Sequence, residues 1–184
     1  MSQGVCPVLL GHFLASPVRK LIQDPDKILT PFVRNKMTAL DVGCGMGFFS
    51  IPLARLVGTE GRVICVDMQQ GMLDGVIMRA KKAGVSVETR LCSQHSLGLE
   101  DGAGTIDFAI AFALAHEVPD RSRFFTELAA SLAPSGRLLL AEPSGHVSEK
   151  NFAETVEIAE KNGLAAVEAV QVPRSRAVLM GKAS

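Results

Sequence analysis

The chain has 184 residues, 47% of them hydrophobic, with 19 Lys+Arg balanced by 19 Asp+Glu for a formal net charge of zero. That length suffices for one domain with a sizeable core. The charge balance removes the broad electrostatic attraction on which nucleic-acid binders depend. The apolar run 8–15 is interrupted by Gly11 and His12 with no basic residue ahead of it, so it reads neither as a signal peptide nor as a membrane span.

Residues 1–37 are divided by Pro7, Pro17, Pro25 and Pro31. Helical turns are expected over 17–23 and 24–35, the second with Asp24 as its cap and Pro25 at its first position. Ala39, Leu40 and Val42 then run into Gly43, Gly45 and Gly47, with an amphipathic segment over 49–57 directly behind. That order predicts strand, tight turn, helix. The glycines let the backbone turn sharply and let a ligand approach it, and the helix start turns amide donors toward that ligand. A second apolar strand over 62–67 ends in Asp67, which falls 20 residues after Gly47. An acidic residue at about this spacing accepts hydrogen bonds from ribose hydroxyls, which points to an adenosine-bearing ligand. The glycines read G-x-G-x-G and not the dinucleotide fingerprint G-x-G-x-x-G. Asp41 precedes them, a carboxylate that repels a pyrophosphate and attracts an ammonium group. A nicotinamide oxidoreductase is therefore disfavoured.

Farther along, a helix is expected over 69–83, with Met72, Leu73, Val76, Ile77 and Ala80 as its apolar stripe and Gly84 as its stop. Met68, Met72 and Met78 read as core, and Arg79, Lys81 and Lys82 as a solvated face. Residues 85–91 alternate as a strand ending at Cys92 and Ser93. After a loop over 100–104, the strand 106–113 is apolar on both faces, as a central parallel strand is. His116 and Glu117 follow it. Their H-E-x-x-D spacing is not the metal-binding H-E-x-x-H, so no metal site is expected. Phe124, Phe125, Leu128 and Leu132 give the helix 120–133 a core face. Pro134, Ser135 and Gly136 turn the chain into the strand 137–142, which ends in Glu142 with His146 four residues on. Ligand crevices in open α/β sheets lie beyond the carboxyl ends of the strands, so these residues share one rim. A helix over 151–162 stops at Gly163, and strands over 167–172 and 177–180 form a closing antiparallel pair. No repeat or second domain is evident. Cys6, Cys44, Cys65 and Cys92 form no C-x-x-C pair and read as reduced thiols of a cytoplasmic protein.

Asp41-Val42-Gly43-Cys44-Gly45-Met46-Gly47 resembles motif I of the class I S-adenosylmethionine-dependent methyltransferases, and Asp67 resembles their acidic residue after strand two. The resemblance extends from about Thr38 to Lys182 and is nearest to the small-molecule group that includes the quinone-biosynthesis enzymes. It implies a Rossmann-like α/β three-layer sandwich with a seven-stranded, mostly parallel sheet and an antiparallel last strand. Residues 1–37 would be a helical extension or lid, with His12, Phe13 and Arg19 as substrate contacts, and 38–184 the methyltransferase domain. The implied cofactor is S-adenosylmethionine. Gly43, Cys44, Gly45 and Gly47 would form its loop, Asp41 would orient its ammonium group, and Asp67 would bind its ribose. Met68, Cys92 and Ser93 would receive adenine, with Ser93 standing where many relatives have aspartate. His116 is the first candidate base or substrate orienter, with Glu117, Glu142 and His146 behind it. Relatives that methylate nucleic-acid bases carry an acidic residue or asparagine, two prolines and an aromatic after strand four. Here Phe112-Ala113-Leu114-Ala115 stands in that place, which favours a small-molecule acceptor. The alternative function is a cofactor-binding partner subunit or sensor without transferase activity.

Overall fold

A computed structural model describes residues 22–99 and 103–183. Its elements alternate: helix α1 (Pro25–Leu29), strand β1 (Thr38–Val42), α2 (Ser50–Val57), β2 (Arg62–Asp67), α3 (Gln70–Ala83), β3 (Glu88–Leu91), β4 (Ile106–Phe112), α4 (Arg121–Ser131), β5 (Leu132–Pro143), α5 (Glu149–Lys161), β6 (Leu164–Ala169) and β7 (Ser175–Lys182). The seven strands form one sheet in the order β3-β2-β1-β4-β5-β7-β6. β1 to β5 run parallel, and β7 lies antiparallel between β5 and β6. This is the mostly parallel, seven-stranded architecture expected.

Side chains along a strand alternate between faces, and the two apolar clusters follow that alternation. Ala39, Cys65, Phe108 and Ile110 pack on one face with Leu29, Phe49, Leu53, Leu73 and Val76 of the first three helices and their connections. Leu40, Val66, Ala109 and Ala111 pack on the other with Phe125, Leu128 and Ala159 of α4 and α5. Phe124, Phe125, Leu128 and Leu132 are all buried, as their helical spacing indicated. The sheet is thus covered on both sides, and its carboxyl edge is left for loops.

Several boundaries differ from the sequence expectation for local reasons. Asp24 caps α1, its side chain accepting the Asp26 amide at 3.1 Å with Pro25 first in the helix. The helix stops at Leu29 and not near residue 35, because Pro31 has no N–H to continue the ladder. β3 begins at Glu88, since it pairs only along Ile64–Asp67. β4 ends at Phe112 because Ala113 turns left-handed at φ 56°. Leu132 already pairs with Ile106, and the ladder resumes at Phe108 with Arg137, so residues 133–136 are looped out within β5. β6 starts at Leu164, just past Gly163 at φ 91°, three residues before the expected strand. The stripe of α3 is narrower than read: Met72 is buried, but Ile77 and Met78 are exposed, and so is Met68 before the helix. Cys44 and Cys65 are buried free thiols and Cys92 is a half-buried one; Cys6, His12, Phe13 and Arg19 lie outside the described residues.

Candidate active site

The central strand β1 lies between β2 and β4, with Asp41 in register with Cys65 on one side and Ile110 on the other. The chain leaves this strand through Gly43, Gly45 and Gly47, all at positive φ (67°, 51° and 80°). The Gly43 and Cys44 amides donate to the Val66 carbonyl at 2.8 and 3.1 Å, and the Gly47 amide donates to that of Cys44 at 2.9 Å. A Cβ on Gly43 would come within 2.8 Å of the Leu114 side chain, whereas one on Gly45 would meet nothing within 4 Å. Gly43 therefore admits a neighbour from the chain itself, and Gly45 borders open space.

Asp67 completes this corner. Its Oδ2 accepts the Gly45 amide and its Oδ1 the Gln69 amide, each at 2.9 Å. A carboxylate has about four acceptor positions, so capacity remains beside these amides for a ligand hydroxyl. Burial raises the Asp67 carboxyl above its ordinary value, opposed by the amides of Gln69, Gly45 and Met68. Met68 stands beside it, 39% exposed. The Cys92 amide donates to the Asp67 carbonyl at 3.0 Å and brings the end of β3 to the same corner. Burial, followed by the Asp67 charge, pushes the Cys92 thiol up to about 11. Ser93 shapes its own loop: its hydroxyl oxygen accepts the His95 and Ser96 amides, both at 3.1 Å.

Asp41 is buried, and the Ser50 hydroxyl donates to its Oδ2 at 2.5 Å. The carboxylate therefore lies under the loop at the first residue of α2. Cys44 packs there too, and its thiol is held well above the ordinary range by a hydrogen bond with Cys65 and then by burial. Such a thiol is a packing group and not a nucleophile. Sequence reading identified the loop and Asp67 from spacing. It missed Ser50 and Leu114, which carry no motif and reach the site through packing between elements.

The second half of the rim is built after β4. Left-handed Ala113, whose amide donates to the Ala141 carbonyl at 2.8 Å, sends Leu114 over Gly43. One 3-10 turn follows over Ala115–Glu117. There the His116 Nδ1 lies 2.5 Å from Glu142 Oε2, and the His116 amide donates to Glu142 Oε1 at 3.3 Å. The Ala115 amide supports the same carboxylate. The Glu142 side chain is 1% exposed, the His116 side chain 30%, and the imidazole's Nε2 lies 3.8 Å from Glu117 Oε1. Burial raises the Glu142 carboxyl, and the His116 charge and hydrogen bond only partly oppose it. The structure thus brings His116, Glu117 and Glu142 together. His146 is exposed, its amide on the Pro143 carbonyl at 3.0 Å, outside that network.

Two groups of residues thus meet at the carboxyl edge: an amide-held carboxylate beside an open glycine loop, and an imidazole backed by a buried carboxylate. The open space at Gly45 and the acceptor capacity left on Asp67 fit S-adenosylmethionine, with Cys92 and Met68 flanking that corner. A separate trough of about 380 Å³ runs between α2 and α3, where Arg55, Arg79 and Lys82 line it. Burial lowers the Arg79 guanidinium, so this face is less solvated than its charges suggested.

Comparison with known proteins agrees with this geometry. A crystal structure of an S-adenosylmethionine-dependent methyltransferase from Aquifex aeolicus superposes with a TM-score of 0.85, covering 98% of this chain and 100% of that one at 25% identity. A ubiquinone biosynthesis O-methyltransferase from a Caulobacter species is 32% identical over 112 residues, 61% of this chain and 42% of that protein. A ubiquinone/menaquinone biosynthesis C-methyltransferase from a Marinomonas species is 32% identical over 118 residues, 64% of this chain and 47% of that protein. The chain spans less than half the length of these two curated relatives. Residues 34–175 match the family model described as the methyltransferase domain, and the chain belongs to that family.

Proposed function

We propose that this chain transfers a methyl group from S-adenosylmethionine to a small-molecule acceptor by in-line displacement. The observation that carries the reading is the Gly45–Asp67 corner, where an amide-held carboxylate faces open space at a left-handed glycine. When bound, the cofactor supplies a methyl group already activated by its positive sulfur. Asp67 takes the ribose hydroxyls. Gly43, Gly45 and Gly47 keep the loop's shape, and Asp41, with Ser50 on its carboxylate, favours the ammonium end. Cys92, Ser93 and Met68 border adenine. The turn after β4 holds the acceptor near His116, with Glu117 and Glu142 beside it and His146 farther out on the rim. Positioning of this kind lowers a barrier by roughly 7–11 kcal/mol, more than a general base adds.

The cytoplasm suits a chain whose described cysteines are free thiols. Among the described residues no helix is long and apolar enough to cross a membrane. Zero net charge and the Phe112-Ala113-Leu114-Ala115 sequence after β4 favour a small molecule over nucleic acid. Residues 1–37 are read as a helical extension or lid, a reading supported in its described part by Ile28, Leu29 and Val33 in the core and by Gln23 Nε2 donating to the Pro173 carbonyl at 2.8 Å. The buried Glu142 behind His116 supports an enzyme over a binding protein without transferase activity.

Calorimetric titration tests the proposal. S-adenosylmethionine and S-adenosylhomocysteine should bind in the micromolar range and NAD should not. Asp67→Ala removes charged hydrogen bonds worth about 1.5–3 kcal/mol. It should therefore weaken S-adenosylhomocysteine about 10- to 150-fold, and unchanged affinity would refute the assignment.

A further inference from the structure

Glu142 is buried at the end of β5, yet its carboxylate is turned on one imidazole. Two backbone amides, those of Ala115 and His116, hold it in place, and Oε2 lies 2.5 Å from His116 Nδ1. This arrangement leaves Nε2 as the nitrogen of His116 that faces away from the core, next to Glu117. A neutral imidazole whose Nδ1 carries the proton has a basic Nε2. Leu114 lies against Gly43, so the turn bearing His116 is anchored beside the glycine loop. Other charged groups of the neighbourhood point elsewhere. Arg176 of β7, the register partner of Glu142, donates to the Ser144 and Val147 carbonyls. Asp120 caps α4 on the Arg123 amide.

We infer that Glu142 is the positioning residue of a Glu142–His116 dyad in which Nε2 takes a proton from the acceptor, and that the acceptor is therefore a hydroxyl compound. The inference rests on the methyltransferase reading above. An amine free base reaches a sulfonium methyl with its lone pair and needs no proton removed first. A hydroxyl oxygen is a weak nucleophile until its proton leaves, so a prearranged base serves that class of acceptor. In the step, the O–H proton passes to Nε2 as the oxygen lone pair forms the new O–C bond. The electron pair of the breaking S–C bond returns to sulfur, which leaves as a neutral thioether. The imidazolium is balanced by Glu142, and its proton departs through Glu117 to water. Glu117 also gives the rim a negative charge that disfavours anionic acceptors.

The test uses the full chain with S-adenosylhomocysteine and ¹⁵N-labelled histidine. The chain has four histidines, and His116→Asn identifies the resonance. Long-range ¹H–¹⁵N NMR at pH 8 should show the His116 proton on Nδ1. In Glu142→Gln, whose amide can also donate to Nδ1, that preference should be lost. A wild-type proton on Nε2, or an unchanged preference for Nδ1 in the variant, overturns the dyad. Should Glu142→Gln not fold, Glu142→Asp gives the same readout with a retracted carboxylate, and the wild-type tautomer decides independently. Acceptor class is read with tritiated cofactor on catechol, hydroquinone, 4-nitrophenol and aniline. Transfer to the phenols is expected, and Glu142→Gln should lower kcat by roughly a hundredfold with S-adenosylhomocysteine affinity retained. Transfer to aniline in preference, or to none of the phenols, overturns the hydroxyl assignment. Loss of S-adenosylhomocysteine binding by the wild type overturns the methyltransferase reading instead and leaves the tautomer result standing.

Discussion

Gly43 and Gly45 are two residues apart, both left-handed, and required for different reasons. At Gly43 a methyl group meets Leu114 at 2.8 Å, so Gly43→Ala combines backbone strain with a clash. Left-handed backbone in a non-glycine residue costs about 1–2 kcal/mol, and the clash adds to it. Gly43→Ala should lower stability by about 2–3 kcal/mol in urea titrations, with part of the loss recovered by Leu114→Ala. Gly45→Ala meets open space, so it should show the backbone cost alone while impairing cofactor binding, a split that calorimetry and denaturation together resolve. The loop and Asp67 were legible because chemistry imposes a spacing on adjacent residues. Ser50 under Asp41 and Leu114 over Gly43 were not, because each contact is decided by how two elements pack and leaves no local pattern. His146, four residues past Glu142, is exposed and lies outside the hydrogen bonds that join His116 to Glu142.

At the level of elements, the unit that matters is β4, its left-handed exit, the 3-10 turn and β5. Each piece constrains the next: Ala113 bonds back to Ala141, and the neighbouring Glu142 holds the turn amides. The carboxyl of Glu142 lies above its ordinary value because burial outweighs the His116 partner. A carboxyl raised by folding stabilises the folded chain fully below its unfolded value, near pH 4.3, and that contribution is lost as pH rises through the folded value. Glu142→Gln removes the titration. Its stability relative to the wild type should therefore improve between pH 4 and pH 8 in urea titrations, and a constant difference would exclude a buried, charge-disfavouring Glu142. The strands and helices here were readable from periodicity, since β4 is apolar on both faces and α4 presents Phe124, Phe125 and Leu128 on one helical face. The looped-out stretch in β5 was recognised as a turn, but not that Leu132 before it already pairs with β4, because ladder partners are a property of two strands.

At the scale of the whole molecule, one sheet separates two apolar layers and carries the proposed site residues at its carboxyl edge. Phe108 is 1% exposed in central β4 and stacks on Phe32 with centroids 6.1 Å apart. Phe108→Ala should destabilise by about 3–5 kcal/mol, a large part of the 5–15 kcal/mol typical of a domain, and should shift the urea midpoint accordingly without altering the order of events at the rim. The order of strands places β1 next to both β2 and β4, and so divides the molecule by sequence position. The groups proposed to hold the cofactor belong to residues 41–93, and the proposed dyad to residues 116–142. The contact of Leu114 with Gly43 joins the two sets. A recombination point in the stretch between β3 and β4 would therefore let such a chain inherit its donor half from one parent and its acceptor half from another. The daughter would need the β1–β4 ladder, its apolar neighbours and the leucine against the glycine to fit the halves together, and acceptor preference could diversify while the donor stayed the same.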